Sequence, residues 1–86
     1  MKIIHTDDFK KALSKSPEEI KHLFEIREER FKNNWTDPRL HIKKVRFLNH
    51  VFSLRITRRY RVFFYFQNSE TAIFFEIGHR KDIYRK

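Results

Sequence analysis

The chain has 86 residues, no cysteine, ten phenylalanines and a net charge of +9. A chain of this length buries only roughly 60–65% of its unfolded surface, and without cysteine neither disulfides nor thiolate metal ligands supplement the core, so aromatic rings must supply much of the apolar area. No run approaches the ~20 apolar residues of a membrane span, and the opening MKIIHTDDF is too polar for a signal peptide, so the expectation is one domain over residues 1–86, cytoplasmic and off the membrane.

KIIH is a short apolar strand candidate. Thr6 then opens a helix signal, with Asp7 and Asp8 in the first turn, where the helix dipole favours acids, and Phe9, Ala12 and Leu13 at helical spacing. A second helix follows. Ser16 is a good N-cap, Pro17 suits the first helical position and Glu19 completes a capping box. Ile20, Leu23, Phe24, Arg27 and Phe31 keep the 3.6-residue period, with Arg27 snorkelling at the edge of the stripe. NNWTDP ends this helix. Asn tolerates a left-handed terminal conformation, and Asp37 before Pro38 is pushed to extended backbone.

The remainder reads as strand. VFSLRIT alternates Phe52, Leu54 and Ile56 against Ser53, Arg55 and Thr57. YRVFFYFQ sets Tyr60, Val62, Phe64 and Phe66 against Arg61, Phe63 and Tyr65, and TAIFFEIG sets Ile73, Phe75 and Ile77 against Ala72, Phe74 and Glu76. The uniformly apolar first face takes the two helices. The expected architecture is α+β: a strand, an αα-hairpin and a three-stranded antiparallel meander with helices on one face.

Charge divides this layout. Residues 1–38 hold eight Lys/Arg and eight Asp/Glu, so the whole +9 lies in residues 39–86, and no acid occurs from Arg39 to Ser69. A basic solvated face is the ordinary outcome of such patterning. Here, however, the cations alternate with aromatic and β-branched residues, which favours a shaped site for a polyanion: RNA, DNA or an acidic protein partner. Matching Ile56 to Tyr60 puts residues 57–59 in the loop and Arg55 directly across from Arg61 on the open face. Like charges so placed repel, unless both face a bound anion. Either register of the next hairpin sets Arg61 opposite Gly78 or Glu76, so the tail GHRKDIYRK leaves the sheet near Arg61. His79, Arg80 and Tyr84 then emerge beside Arg55 and Arg61, with Arg58 and Arg59 on the adjoining hairpin. Arginine grips phosphate through a planar, always-charged guanidinium. Phe63, Tyr65 and Phe74 are candidates to stack bases, although packing under arginine stems is the commoner use of such rings. His5, His22, His41 and His50 have no metal-ligand spacing and are expected to be surface or structural residues. Only His50 stands near enough the basic strands to line a groove.

DPRLHIKKV, FSLRITRRYRVFF and IGHRKDIY, taken together, resemble the RelE/ParE superfamily of small toxins from type II toxin–antitoxin pairs, over nearly the whole chain. The resemblance implies an endoribonuclease that needs no metal or other cofactor and cuts mRNA, usually on the ribosome, by attack of the ribose 2′-oxygen on the adjacent phosphate. It also implies an acidic antitoxin as partner. The family's basic strand residue falls on Arg55, its YR arginine on Arg61, and its tail arginine and tyrosine on Arg80 and Tyr84. Some relatives use a tail histidine one or two positions away, which His79 would represent, and the family's variable basic strand maps onto Lys43, Lys44 and Arg46. Arginine is too weak an acid to serve as base, which leaves His79 or Tyr84 to move the proton. Lys86, at the chain end, is expected to add only non-specific RNA affinity. Two alternatives stand beside this expectation: a ParE-like toxin acting on DNA gyrase, and a basic RNA-binding module without catalysis.

Overall fold

Four residues, Lys2–His5, extend as strand β1 and lead through a capped turn into helix α1, Asp7–Ser14. The Thr6 hydroxyl accepts from the Phe9 N–H at 3.1 Å, satisfying one of the helix's free donors. The computed structural model describes residues 1–84, and Lys86, named above, lies outside the described residues.

Helix α2, Glu18–Asn33, begins one residue later than the expected capping box requires. The Ser16 hydroxyl donates to the Ala12 carbonyl at 3.0 Å and so closes α1. Pro17 takes the cap position of α2 and supplies no side-chain bond to its first turn. The turn between the helices is so short that Ser16 serves the end of one helix and cannot also start the next. At the far end of α2, Asn34 is extended rather than left-handed, with φ −160°. Its side-chain carbonyl accepts from both the N–H and the hydroxyl of Thr36 instead. A 3₁₀ turn, Pro38–Leu40, follows, capped by Asp37, whose carboxyl is held down to about 2 by the hydrogen-bonded Arg39 guanidinium and backbone N–H. The left-handed residues are His41 (φ 49°) and His50 (φ 59°).

The α+β architecture expected from the sequence is present, but the meander is the centre of a larger sheet. Strands β2 (Lys43–Lys44), β3 (Phe52–Arg55), β4 (Tyr60–Asn68) and β5 (Thr71–His79) join β1 in a five-stranded sheet of order β1-β5-β4-β3-β2. The pair β1–β5 is parallel, the others antiparallel. Helices α1 and α2 cover one face. Phe9, Ile20, Phe24 and Phe31 from the helices meet Leu54, Val62, Phe64 and Phe74 from the strands in the main core. The His5 Nε2–Glu28 carboxylate contact at 2.5 Å ties β1 to α2 over the rings of Phe9 and Phe24.

One β-bulge corrects the assigned faces of β5. Val62 pairs with Ile77 and Phe63 with Glu76, but Phe64 pairs with Phe74, so Phe75 is the extra residue. Strict alternation puts Ile73 and Phe75 in the core and Phe74 outside. The structure does the reverse: Ala72 and Phe74 are fully buried under the helices, while Ile73 pairs with the open-face Tyr65 and Phe75 packs against a second, smaller cluster.

That second cluster is made by a helix absent from the expected layout. Residues Arg80–Ile83 form α3, a single turn that folds back over the open face of the sheet. Ile83 is buried with Val45 and Phe63, and Val51 and Phe75 pack around them. Gly78, the only glycine in the chain, makes this approach possible, because a Cβ there would lie 2.8 Å from Ile83 Cγ2.

Candidate phosphate-binding site

The β3–β4 hairpin positions the first two cations. The Ile56 N–H and Thr57 N–H both donate to the Tyr60 carbonyl, and the Thr57 hydroxyl accepts from the N–H groups of Arg59 and Tyr60. This fixes the loop and the register, so Arg55 pairs directly with Arg61, and Arg61 with Gly78 on the other side. The Nε atoms of Arg55 and Arg61 are both buried and have no hydrogen-bond partner among the described residues. The Arg61 guanidinium donates a long bond, 3.4 Å, to the Arg58 carbonyl. Burial, followed by the charge of Arg55, lowers the Arg61 pKa from the usual arginine value; Tyr84 opposes the shift and Arg80 adds to it. Two like charges facing each other, each with an unsatisfied donor, are unfavourable for the empty fold and favourable for an anion.

The tail completes the pocket. The Arg80 N–H donates to the Arg59 carbonyl at 2.6 Å, clamping the start of α3 to the hairpin. Ile83 anchors its other side in the small cluster. Arg80, Lys81 and Tyr84 are thereby brought to Arg61, Ser53 and Lys43 around one open pocket of about 380 Å³. The Tyr84 ring stands edge-on to Phe63, 5.2 Å between centroids and 84° between planes, which sets its direction.

The remaining residues singled out from the sequence are distributed around this pocket. Arg58 and Arg59 are exposed on the hairpin, and Arg46 is exposed in the turn after β2. Lys44 pairs with Phe52 and lines a separate cleft with Trp35 and His41. His79 does not line the pocket of Arg61 and Tyr84. It pairs with Tyr60, packs its ring edge-on against that tyrosine at 5.5 Å, and caps α3 through Nδ1, which accepts from the Lys81 N–H at 3.2 Å. His50 does not line the pocket. Of the three rings considered for base stacking, Phe63 and Phe74 are fully buried, which removes them; Tyr65 is 40% exposed. Sequence reasoning missed Ser53, Lys81 and the exposed Phe47 near Tyr84. The one available signal for Phe47 was a large aromatic in the short segment between Arg46 and His50, where a turn makes burial less than the default.

Replacing Arg55 with Gln is expected to stabilise the isolated protein, because it relieves the Arg55–Arg61 repulsion, roughly 0.5–1 kcal/mol for a like-charged cross-strand pair. In a domain this small that corresponds to a melting point higher by about 2–8 °C. Thermal scans with and without phosphate check it: phosphate should raise the wild-type midpoint more than the variant's. A variant that melts lower than wild type in phosphate-free buffer contradicts this account.

The fold these elements define, a five-stranded sheet with two helices on one face and a short basic helix folded over the other, is shared with a chain of a solved antitoxin–toxin complex. One matching solved structure is a chain of the RelB–RelE antitoxin–toxin complex from Methanococcus jannaschii, with a TM-score of 0.76 and 28% sequence identity over 94% of each chain. No family model matches the sequence, and no curated protein does. Among the described residues no helix is long and apolar enough to cross a membrane.

Proposed function

We propose that this chain is the toxin of a type II toxin–antitoxin pair and a metal-independent endoribonuclease that cleaves mRNA on the ribosome. One observation carries the proposal: Arg61, Arg80 and Tyr84 line one open pocket of about 380 Å³, and Arg55, paired with Arg61 across the hairpin, adds a second charge and a buried Nε with no partner among the described residues, a combination that suits an anion. The net charge of +9 favours the toxin half of such a pair over an acidic antitoxin. The likeness to a chain of a RelB–RelE complex supports the toxin–antitoxin setting.

In this mechanism Arg55 and Lys43 draw in the scissile phosphate, and Arg61 and Arg80 hold its two non-bridging oxygens. The Tyr84 hydroxyl accepts the proton of the 2′-hydroxyl, as that oxygen attacks phosphorus, and passes its own proton to water. The bond to the 5′-oxygen breaks, that oxygen takes a proton from solvent, and a 2′,3′-cyclic phosphate and a 5′-hydroxyl are left. Negative charge grows on the non-bridging oxygens in the transition state, so the two guanidinium groups bind it more tightly than the ground state. His79 acts on this site by capping α3, which carries Arg80 and leads to Tyr84. The proposed antitoxin contributes an acidic segment that covers the basic face or displaces α3, with opposite charge speeding the encounter.

Induced expression without an antitoxin should stop growth and translation, and programmed ribosomes should yield cut mRNA ending in a cyclic phosphate. Intact mRNA with trapped gyrase–DNA complexes would instead indicate a ParE-like toxin. RNA binding without any cleavage would indicate a non-catalytic module.

A further inference from the structure

The turn between β2 and β3 carries a feature that the phosphate pocket does not use. Phe47 is 46% exposed, the highest among the chain's large hydrophobic side chains, and it is held on a short structured turn rather than a free loop. The Val45 N–H donates to the Val51 carbonyl, the Leu48 N–H donates to the Val45 carbonyl, and His50 takes the left-handed conformation that brings the chain back into β3. Val45 is buried against Ile83, so this turn and α3 share one anchor. The result is that Phe47 and Tyr84 form a corner, with ring centroids 6.1 Å apart and planes at 70°. Tyr84 is itself 39% exposed and lines the pocket of Arg61 and Arg80. An exposed aromatic corner beside an arginine phosphate seat fits one ligand chemistry in particular: a nucleotide, whose phosphate takes the cations while its base lies flat on one ring and meets the edge of the other.

We propose that Phe47 is a substrate-positioning residue that, with Tyr84, seats the nucleobase adjoining the bound phosphate. This rests on the endoribonuclease proposed above, since it assumes an RNA phosphodiester in the Arg61–Arg80 pocket. The corner offers ring faces and edges, each of them exposed. It therefore holds a base by stacking and gains affinity with little discrimination among bases. The alternative, an apolar contact for a protein partner, would give Phe47 no reason to stand within stacking distance of a pocket-lining tyrosine.

The test uses the full chain and two short RNAs with a 2′-O-methyl group at the scissile linkage, one carrying its bases and one abasic on both sides of that linkage. Binding is read by titration calorimetry at fixed salt. Phe47→Leu, which keeps apolar bulk, should weaken binding of the base-bearing RNA about tenfold, the scale of one lost base–aromatic stack. It should leave the abasic RNA unchanged, and Phe47→Trp should bind the base-bearing RNA as wild type does. Equal loss on both RNAs overturns the proposal, as does loss on neither, including the case in which only antitoxin binding suffers. The two levels separate cleanly. If wild type binds with this pattern but does not cut mRNA on the ribosome, the nuclease proposal fails and the stacking role stands. If wild type cuts and Phe47→Leu binds and cuts normally, only the stacking role fails.

Discussion

Arg61→Ala and Arg80→Ala are each expected to slow single-turnover cleavage of programmed ribosomes by on the order of 10²–10³, the effect of losing one donor aimed at developing charge. The two residues reach the site from different directions. Arg61 comes from β4, where it pairs with Gly78 of β5, whereas Arg80 is carried by α3 and clamped through its own N–H to the Arg59 carbonyl. Neither side chain belongs to a hydrophobic cluster, so both variants should remain folded, and Arg61→Ala should melt no lower than wild type because it removes one of two opposed charges. Tyr84→Phe keeps the ring that rests on Phe63 but removes the hydroxyl, and as the proton acceptor it should lose on the order of 10²–10⁴ in rate. His79→Gln should lose far less, since His79 contacts Tyr60 and the Lys81 N–H rather than the pocket. Near-wild-type rates for both arginine variants would refute the assigned site, and a severe His79→Gln with a mild Tyr84→Phe would move the proton transfer to the histidine.

The second large effect concerns stability. Phe74 is fully buried, and its ring lies between 5.3 and 6.1 Å from the rings of Phe9, Phe24, Phe31 and Phe64. Phe74→Ala should therefore cost about 3–5 kcal/mol, the range for truncating a core phenylalanine. That is a large share of the roughly 5–15 kcal/mol that holds a small domain folded. Phe75→Ala, at a partly buried position at the edge of the smaller cluster, should cost clearly less, below about 2 kcal/mol. Urea denaturation of the two variants gives the order. The reverse order would mean that β5 alternates strictly and that the bulge at Phe75 is absent.

Sequence alone determined whatever depends on local periodicity and on charge. The αα-hairpin follows from Phe9, Ile20, Phe24 and Phe31 recurring at helical spacing. The first hairpin follows from Leu54, Ile56, Tyr60 and Val62 sharing one face, and that register by itself set Arg55 against Arg61. The absence of acids from Arg39 to Ser69 marked a strongly basic segment before any strand was paired. Tertiary structure decided what no local pattern encodes. A bulge inserts one residue without a composition signal, so the parity of Ile73, Phe74 and Phe75 depended on how β5 must twist against β4. A four-residue helix is too short to show a period or to stand alone. Helix α3 exists because Ile83 finds Val45 and Phe63 through the space above Gly78. That one long-range contact brings Arg80 and Tyr84 to Arg61, with His79 outside the lining, and converts a basic tail into one wall of a pocket. It could be seen only once the strands that build its floor were in place.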